Sequence, residues 1–166
     1  IKNRKEIIGK NNVVVLSPED QIITKGGPRE RRFFFDRLFS IVDSDYLNTL
    51  QEFNRALKQR NVLILNSKQT KEDSFLPWEE KLSISAVKLW EIRKKRFSDY
   101  LKSLDNVISK YQKDLILNVS YIEKTYKKEE FKKKLKQTRE RDCLLGTTSH
   151  GPHRDNIKVL WSGKDI

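Results

Sequence analysis

Apolar residues recur along much of this chain at steps of three and four, the spacing that lines one face of a helix. Tyr46, Leu50, Phe53, Leu57 and Ile64 form one such stripe, with Arg60 standing inside it. Asp43-Ser44-Asp45 supplies its start, because short polar side chains cap free N–H groups and negative charge suits that end of the helix dipole. A second stripe opens near Pro77-Trp78 and runs through Leu82, Ala86, Leu89, Phe97, Leu101, Leu104 and Ile108. The polar stretch from Asn66 to Ser74 lies between them. Two long stripes joined by a short polar loop predict an antiparallel helical hairpin.

The flanks read differently. Val13-Val14-Val15-Leu16 is a continuous β-branched run, as in a strand covered on both faces, and Ser17-Pro18 ends it. Gly26-Gly27-Pro28 breaks the chain again, and Pro28 suits the first position of a helix. On that helix Phe34, Leu38, Phe39, Ile41 and Val42 are expected to share the inner face, leaving Arg29, Arg32 and Asp36 towards water or a ligand. Leu115, Leu117, Val119 and Tyr121 alternate with Ile116, Asn118, Ser120 and Ile122, a strand pattern. Glu129 to Asp142 is helical, with Phe131 and Leu135 as a thin stripe. After a turn-rich loop from Gly146 to Pro152, Ile157, Val159 and Trp161 alternate, and Ser162-Gly163-Lys164-Asp165 resembles a hairpin turn. Strands near both ends with helices between predict an α+β fold, a helical excursion from a sheet.

Charge shapes this picture further. The chain has 166 residues with 35 Lys and Arg against 23 Asp and Glu, a net charge of +12. Charged residues reach 35% and apolar residues only 36%, which suits helices with much solvated surface. No apolar run approaches the roughly 18–20 residues of a membrane helix. A single cysteine, Cys143, supports no disulfide framework, which points to a reducing, cytoplasmic setting. The sequence begins Ile1-Lys2-Asn3 and contains 0 Met, so it is expected to be a segment of a longer protein.

Candidate chemistry is mostly basic. Lysines and arginines crowd Lys127 to Arg141, with Glu129, Glu130 and Glu140 interspersed, and Lys94-Lys95-Arg96 forms a second group. Phosphate backbones reward such fields, although a solvated helix face has the same composition. Arg29, Arg31 and Arg32 are more pointed, because cations in a first helical turn oppose the dipole and so suggest an anion site. Gly146 to Gly151 imitates the start of a phosphate-binding loop, but Pro152 and His153 stand where Lys and Ser or Thr are required. His150, His153, Cys143 and Asp155 match no zinc spacing, so no metal site is expected. Cys143 is expected to be a small buried thiol rather than a nucleophile. No catalytic residue is assigned. The stretch Thr147 to Asp155 reads equally as a hydrogen-bonded turn and as a phosphate-facing or interface loop with Arg154 as its charge.

Three blocks resemble the RecF family of bacterial recombination-mediator ATPases. The first is Ser17-Pro18-Glu19-Asp20 with Gly26-Gly27-Pro28-Arg29-Glu30-Arg31-Arg32-Phe33-Phe34-Phe35-Asp36, similar to that family's S-P-E-D and G-x-P-x-x-R-R-x-F-L-D. The second is Leu57-Lys58-Gln59-Arg60-Asn61, and the third runs from Thr147 to Asp155, similar to T-x-x-G-P-H-R-D. Phe35 and Asn156 depart from the family, which usually has Leu and an acidic residue there.

The resemblance implies part of an ABC- or SMC-like ATPase head: residues 1–27 and 113–166 as head segments, residues 28–112 as an inserted helical arm. It implies ATP and Mg²⁺ as cofactors of the intact protein, with Glu19, Asp20 and Gln21 near the nucleotide. The Walker and signature motifs are missing from this segment, which is therefore not expected to hydrolyse or hold ATP alone. The implied role is recombinational repair of single-strand gaps, replication support and SOS induction, with DNA, RecR, RecO and an ATP-dependent homodimer as partners. Arg29, Arg31, Arg32, Lys58, Arg60 and Arg154 are the DNA-contact candidates, by charge and position. The competing expectation is a structural arm that docks a protein and barely touches DNA.

Overall fold

A computed structural model describes residues 22–111, 117–122, 126–161 and 164–165. The strand expected at Val13 to Leu16 and the trio Glu19, Asp20 and Gln21 lie outside them. In chain order the elements are α1 (Ile22–Lys25), α2 (Pro28–Val42), α3 (Ser44–Leu65), α4 (Leu76–Tyr111), β1 (Leu117–Ile122), α5 (Lys128–Gln137), α6 (Arg139–Leu145), β2 (Asn156–Trp161) and β3 (Lys164–Asp165). None of the described helices is long and apolar enough to cross a membrane.

The chain folds as two compact units. The first holds α2, the start of α3 through Tyr46, α4 from Ile92, β1, and the chain from Asp155 onward. Its core is aromatic. Phe35 and Phe39 of α2 surround Phe97 of α4 at ring separations of 4.6 and 5.0 Å, and Phe97 stacks on Tyr121 of β1 at 4.8 Å. The three strands form an antiparallel sheet in the order β1-β2-β3, with Val119 opposite Val159. Val119, Ile157 and Val159 are buried, in the phase the alternation predicts. Lys164 and Asp165, read as part of a turn, already pair with Trp161 and Leu160 as the return strand.

On α2 the buried positions are Arg31, Phe35 and Phe39, so Phe39 of the expected face is buried while Phe35 rather than Phe34 is buried a turn earlier. Three consecutive phenylalanines fix no phase, and Phe33 is left 67% exposed. The phase is set by Asp36, which turns inward to a buried arginine described below. Asp43 caps α3 as expected: its Oδ1 accepts the amides of Asp45 and Tyr46 at 2.9 and 3.1 Å, and Arg96 donates to its other oxygen at 2.7 Å. Burial alone would raise the Asp43 carboxyl, but the Tyr46 amide, Arg96 and the Asp45 amide outweigh it and hold it below the usual range.

The second unit holds α3 from Leu47, α4 through Glu91, α5, α6 and the loop to Arg154. Its α3 and α4 run antiparallel, since Arg60 meets Glu79 near the connection while Glu52 and Ile84 flank a common groove further along. The connection is not a plain loop. It contains 3₁₀ turns at Ser67–Gln69 and Glu72–Phe75, anchored where Phe75 is buried beneath the Arg139 guanidinium, 4.8 Å from its ring. The core combines Phe53, Leu82, Ala86, Leu89, Phe131 and Leu135 with Trp90, which meets Phe131 edge to face at 5.0 Å.

The helix expected from Glu129 to Asp142 is broken at Thr138. Its hydroxyl bonds the Lys134 carbonyl at 3.1 Å, competing with the helical ladder. The thin stripe then continues from Phe131 and Leu135 through two buried polar residues, Thr138 and Asp142. That change from apolar to polar is where the unit's chemistry begins.

Candidate nucleic-acid interface and its buried charge clusters

The candidate cations separate sharply by burial. Arg29 in the first turn of α2 is exposed, as are Lys58 on α3 and Arg154. Arg31 is 9% exposed and Arg60 fully enclosed at 0%, so neither presents its charge to a ligand at the surface. Arg32 is half-buried, and its Nη1 donates to the Asp155 carbonyl at 2.6 Å. The three arginines of α2 thus differ in burial: Arg29 exposed, Arg32 half-buried and Arg31 buried.

Arg60 organises the second unit. Its Nε donates to Glu79 Oε1 at 3.3 Å, Nη1 to Asp142 Oδ2 at 2.7 Å and to Thr148 Oγ1 at 2.9 Å, and Nη2 to the Leu135 carbonyl at 2.9 Å. Glu79 is only 1% exposed and is gripped again by Arg139, through Nε at 3.2 Å and Nη2 at 2.8 Å. Asp142 also accepts the Ser149 amide at 3.0 Å. Buried ions persist only where paired and hydrogen-bonded in this way. Asn61, next in the same block, accepts both the amide and the hydroxyl of Thr148 at 2.9 and 2.7 Å.

The second and third sequence blocks therefore meet. The Thr148 carbonyl accepts His153 Nε2 at 2.9 Å and Arg154 Nη2 at 3.2 Å. Because a carbonyl only accepts, the His153 proton sits on Nε2. His153 packs 5.8 Å from the Phe53 ring. Gly151 adopts φ +136°, where an added Cβ would lie 3.1 Å from His153 Nδ1, so the turn requires glycine. Of the two readings left open for this loop, the hydrogen-bonded turn is its observed structure, with Arg154 exposed on it.

A second buried guanidinium organises the first unit. Arg93 is 2% exposed; its Nη2 donates to Asp36 Oδ1 at 2.8 Å, Nη1 to Asp155 Oδ2 at 2.9 Å and Nε to Tyr46 Oη at 3.1 Å. Tyr46 donates onward to Asp36, and Tyr121 to Asp155 at 2.5 Å. The first block and the last residue of the third are thus joined through Arg93. Burial lowers the affinity of a guanidinium for its proton, but Asp36, the two tyrosines and Asp155 more than reverse this for Arg93.

Burial pushes the Tyr46 and Tyr121 phenols well above the ordinary tyrosine value; Arg93 opposes this, while Asp36 and Asp155 respectively reinforce it. A group whose folded pKa is raised gives stability that is complete below its unfolded pKa, about 10 for tyrosine, and is lost as pH rises beyond it. Each phenol adds a downward slope of about 1.4 kcal/mol per pH unit once the unfolded form ionises. Urea melts at about pH 8 and about pH 10.5 are expected to show a steep alkaline loss that Tyr121→Phe makes shallower. Equal slopes in the two proteins would rule this coupling out.

Lys128 and Lys132 both pair with Glu80, the first at 2.5 Å, so part of the lysine-rich helix is neutralised at the surface. Cys143, expected to be buried, is half-exposed beside Leu144 and Leu145, which protrude at 89% and 55% exposure. Among the described residues no group of three or more His, Cys, Asp or Glu is placed to hold a metal ion. Sequence reasoning did not single out Arg93, Glu79 or Asp142, and named Asn61 only as the end of a block, yet two signs were present. Arg60 interrupts one apolar stripe, and Arg93 sits midway in the gap between Leu89 and Phe97 of the other.

No family model matches the chain. A protein of Lachnoclostridium phytofermentans named DNA replication and repair protein RecF is 34% identical over 172 residues, which cover 100% of this chain and 47% of the relative. A solved structure of the recombination mediator protein RecF-ATPrS in the RecFOR pathway superposes with a TM-score of 0.82 at 27% identity, over 99% of this chain. The chain belongs to the RecF family. The RecF of Acholeplasma laidlawii is 32% identical over 98% of the chain and 46% of its own length. A second RecF structure, RecF-ATP in the RecFOR pathway, also gives a TM-score of 0.82, over 96% of this chain and 46% of that one. The chain therefore spans about half the length of the RecF proteins it matches. The expected α+β architecture, a long helical arm with a small antiparallel sheet, is that of this part of RecF.

Proposed function

We propose that this chain is the central segment of an ATP-dependent, DNA-binding RecF protein that acts in recombinational repair of single-strand gaps, in replication support and in SOS induction. The observation that supports this most is likeness to RecF along the full chain, in sequence and in fold together. On this reading residues 1–27 and 113–166 belong to the ATPase head and residues 28–112 to the arm. Glu19, Asp20 and Gln21 lie near ATP and Mg²⁺ in the intact protein, while this segment supplies no P-loop of its own. RecO, RecR and a second RecF copy are its partners. Its work is in the cytoplasm.

For DNA contact the exposed cations Arg29, Lys58 and Arg154 carry the proposal, with half-buried Arg32 behind them. Arg60 leaves the set, because a phosphate cannot reach an enclosed guanidinium, and Arg31 at 9% exposure ranks behind the exposed cations. Anisotropy of labelled single-stranded and duplex DNA, read at about 50 and about 200 mM salt, tests this. Each of Arg29→Glu, Lys58→Glu and Arg154→Glu is expected to weaken binding and reduce the salt slope by about one. Salt-independent binding, or none of the three having an effect, would favour the competing reading of an arm that docks a protein.

A further inference from the structure

In the second unit α3 and α4 enclose an open groove of about 500 Å³, a size that accepts a peptide side chain with its neighbours. Its apolar lining is Ala56, Trp78 and Ile84, and Ile84 is left 49% exposed. Its charged lining is Arg55 and Lys81 against the single carboxylate of Glu52. We infer that this groove binds an acidic peptide segment carrying a large apolar side chain.

Charge and geometry both point that way. Arg55 forms no hydrogen bond or ion pair with any described residue, unlike Lys128 and Lys132, which Glu80 has already engaged. Its planar fork is therefore available to a carboxylate, the partner it binds bidentately. Lys81 holds its ammonium 5.0 Å from the centre of the Trp78 ring. That placement covers one face of the indole, which leaves less of the ring for a nucleic-acid base to stack on and favours a peptide over single-stranded DNA as the occupant. It leaves the space between Trp78, Ala56 and Ile84 for an aliphatic or aromatic side chain, with flanking carboxylates reaching Arg55 and Lys81. The positive surplus of the chain steers such a segment inwards. This inference is independent of the DNA-binding proposal, whose cations lie at other positions.

The full chain would be titrated against a fluorescein-labelled peptide, Asp-Glu-Asp-Leu-Phe-Asp-Glu, following peptide anisotropy and indole emission. Saturable binding is expected, with an emission change that Trp78→Phe removes. Arg55→Glu and Ile84→Asp, both at exposed positions, are each expected to weaken binding at least about tenfold with the circular dichroism unchanged. A peptide with Leu and Phe replaced by Ala, and a thymidine oligonucleotide, are expected not to compete. The double reversal Arg55→Glu with Lys81→Glu is expected to bind a Lys-Arg-Lys-Leu-Phe-Lys-Arg peptide instead. The inference is overturned by no saturable binding at roughly millimolar peptide, by indifference to these substitutions, or by displacement of the peptide by the oligonucleotide.

Discussion

Arg60→Met is expected to destabilise the second unit by about 3–5 kcal/mol, the effect of removing one partner from a buried ion pair. The guanidinium has no exposed surface, and its loss leaves different groups in different states. Glu79 retains both nitrogens that Arg139 presents to it. Asp142 retains only the Ser149 amide and a long 3.4 Å bond from Thr138, and it is 0% exposed. The penalty therefore concentrates at Asp142, and Asp142→Asn in the Arg60→Met background is expected to recover part of it. Arg60→Lys cannot replace the side chain, because one ammonium cannot reach Glu79, Asp142, Thr148 and the Leu135 carbonyl together. Urea denaturation followed by circular dichroism measures all three. A loss below about 1 kcal/mol would mean that Arg60 is not the keystone described. A folded Arg60→Met protein with weakened DNA binding would restore Arg60 as a ligand contact.

Arg93→Met is expected to fall near the lower end of the same roughly 3–5 kcal/mol range, and for a reason visible in its partners. Asp36 and Asp155 each lose a guanidinium nitrogen but keep a phenol, from Tyr46 and Tyr121 respectively. The Asp155 main chain is still held by Arg32. A double-mutant cycle of Arg93→Met with Asp155→Asn isolates the pair, and a coupling of at least about 1 kcal/mol is expected. Additive effects would show that Arg93 acts through packing on Tyr121, whose ring lies 6.0 Å from its guanidinium carbon, rather than through charge.

These arginines also explain what a reader of the sequence can and cannot see. The hairpin of α3 and α4 was legible because its stripes are long, and Asp43 because capping is local. The strands β1 and β2 were legible from alternation. The face of α2 was not, since Phe33, Phe34 and Phe35 leave the phase to be set by Asp36 and its distant partner. The break at Thr138 was hidden for a similar reason: threonine is tolerated within helices, and only its bond to Lys134 shows that it competes. As for the candidate site, charge alone placed Arg29, Arg60 and Arg154 in one class. What divides them is whether carboxylates from far along the chain arrive, and Asp142 lies 82 positions from Arg60.

The Arg60 cluster also limits how this chain can change in length. Leu135 and Asp142 lie seven positions apart, close to two helical turns, and both ends of that interval bind the same guanidinium. One residue gained or lost between them shifts Asp142 from its place relative to Leu135, across the break at Thr138, and carries its carboxylate out of reach. Thr138 and Arg139 would be displaced by the same slip, so one insertion disables several bonds at once. Exposed positions of the connection, such as Lys68 and Asp73, face no such requirement. Length variation is thus expected to be absent between Leu135 and Asp142 and tolerated around Lys68, whatever substitutions each stretch accepts.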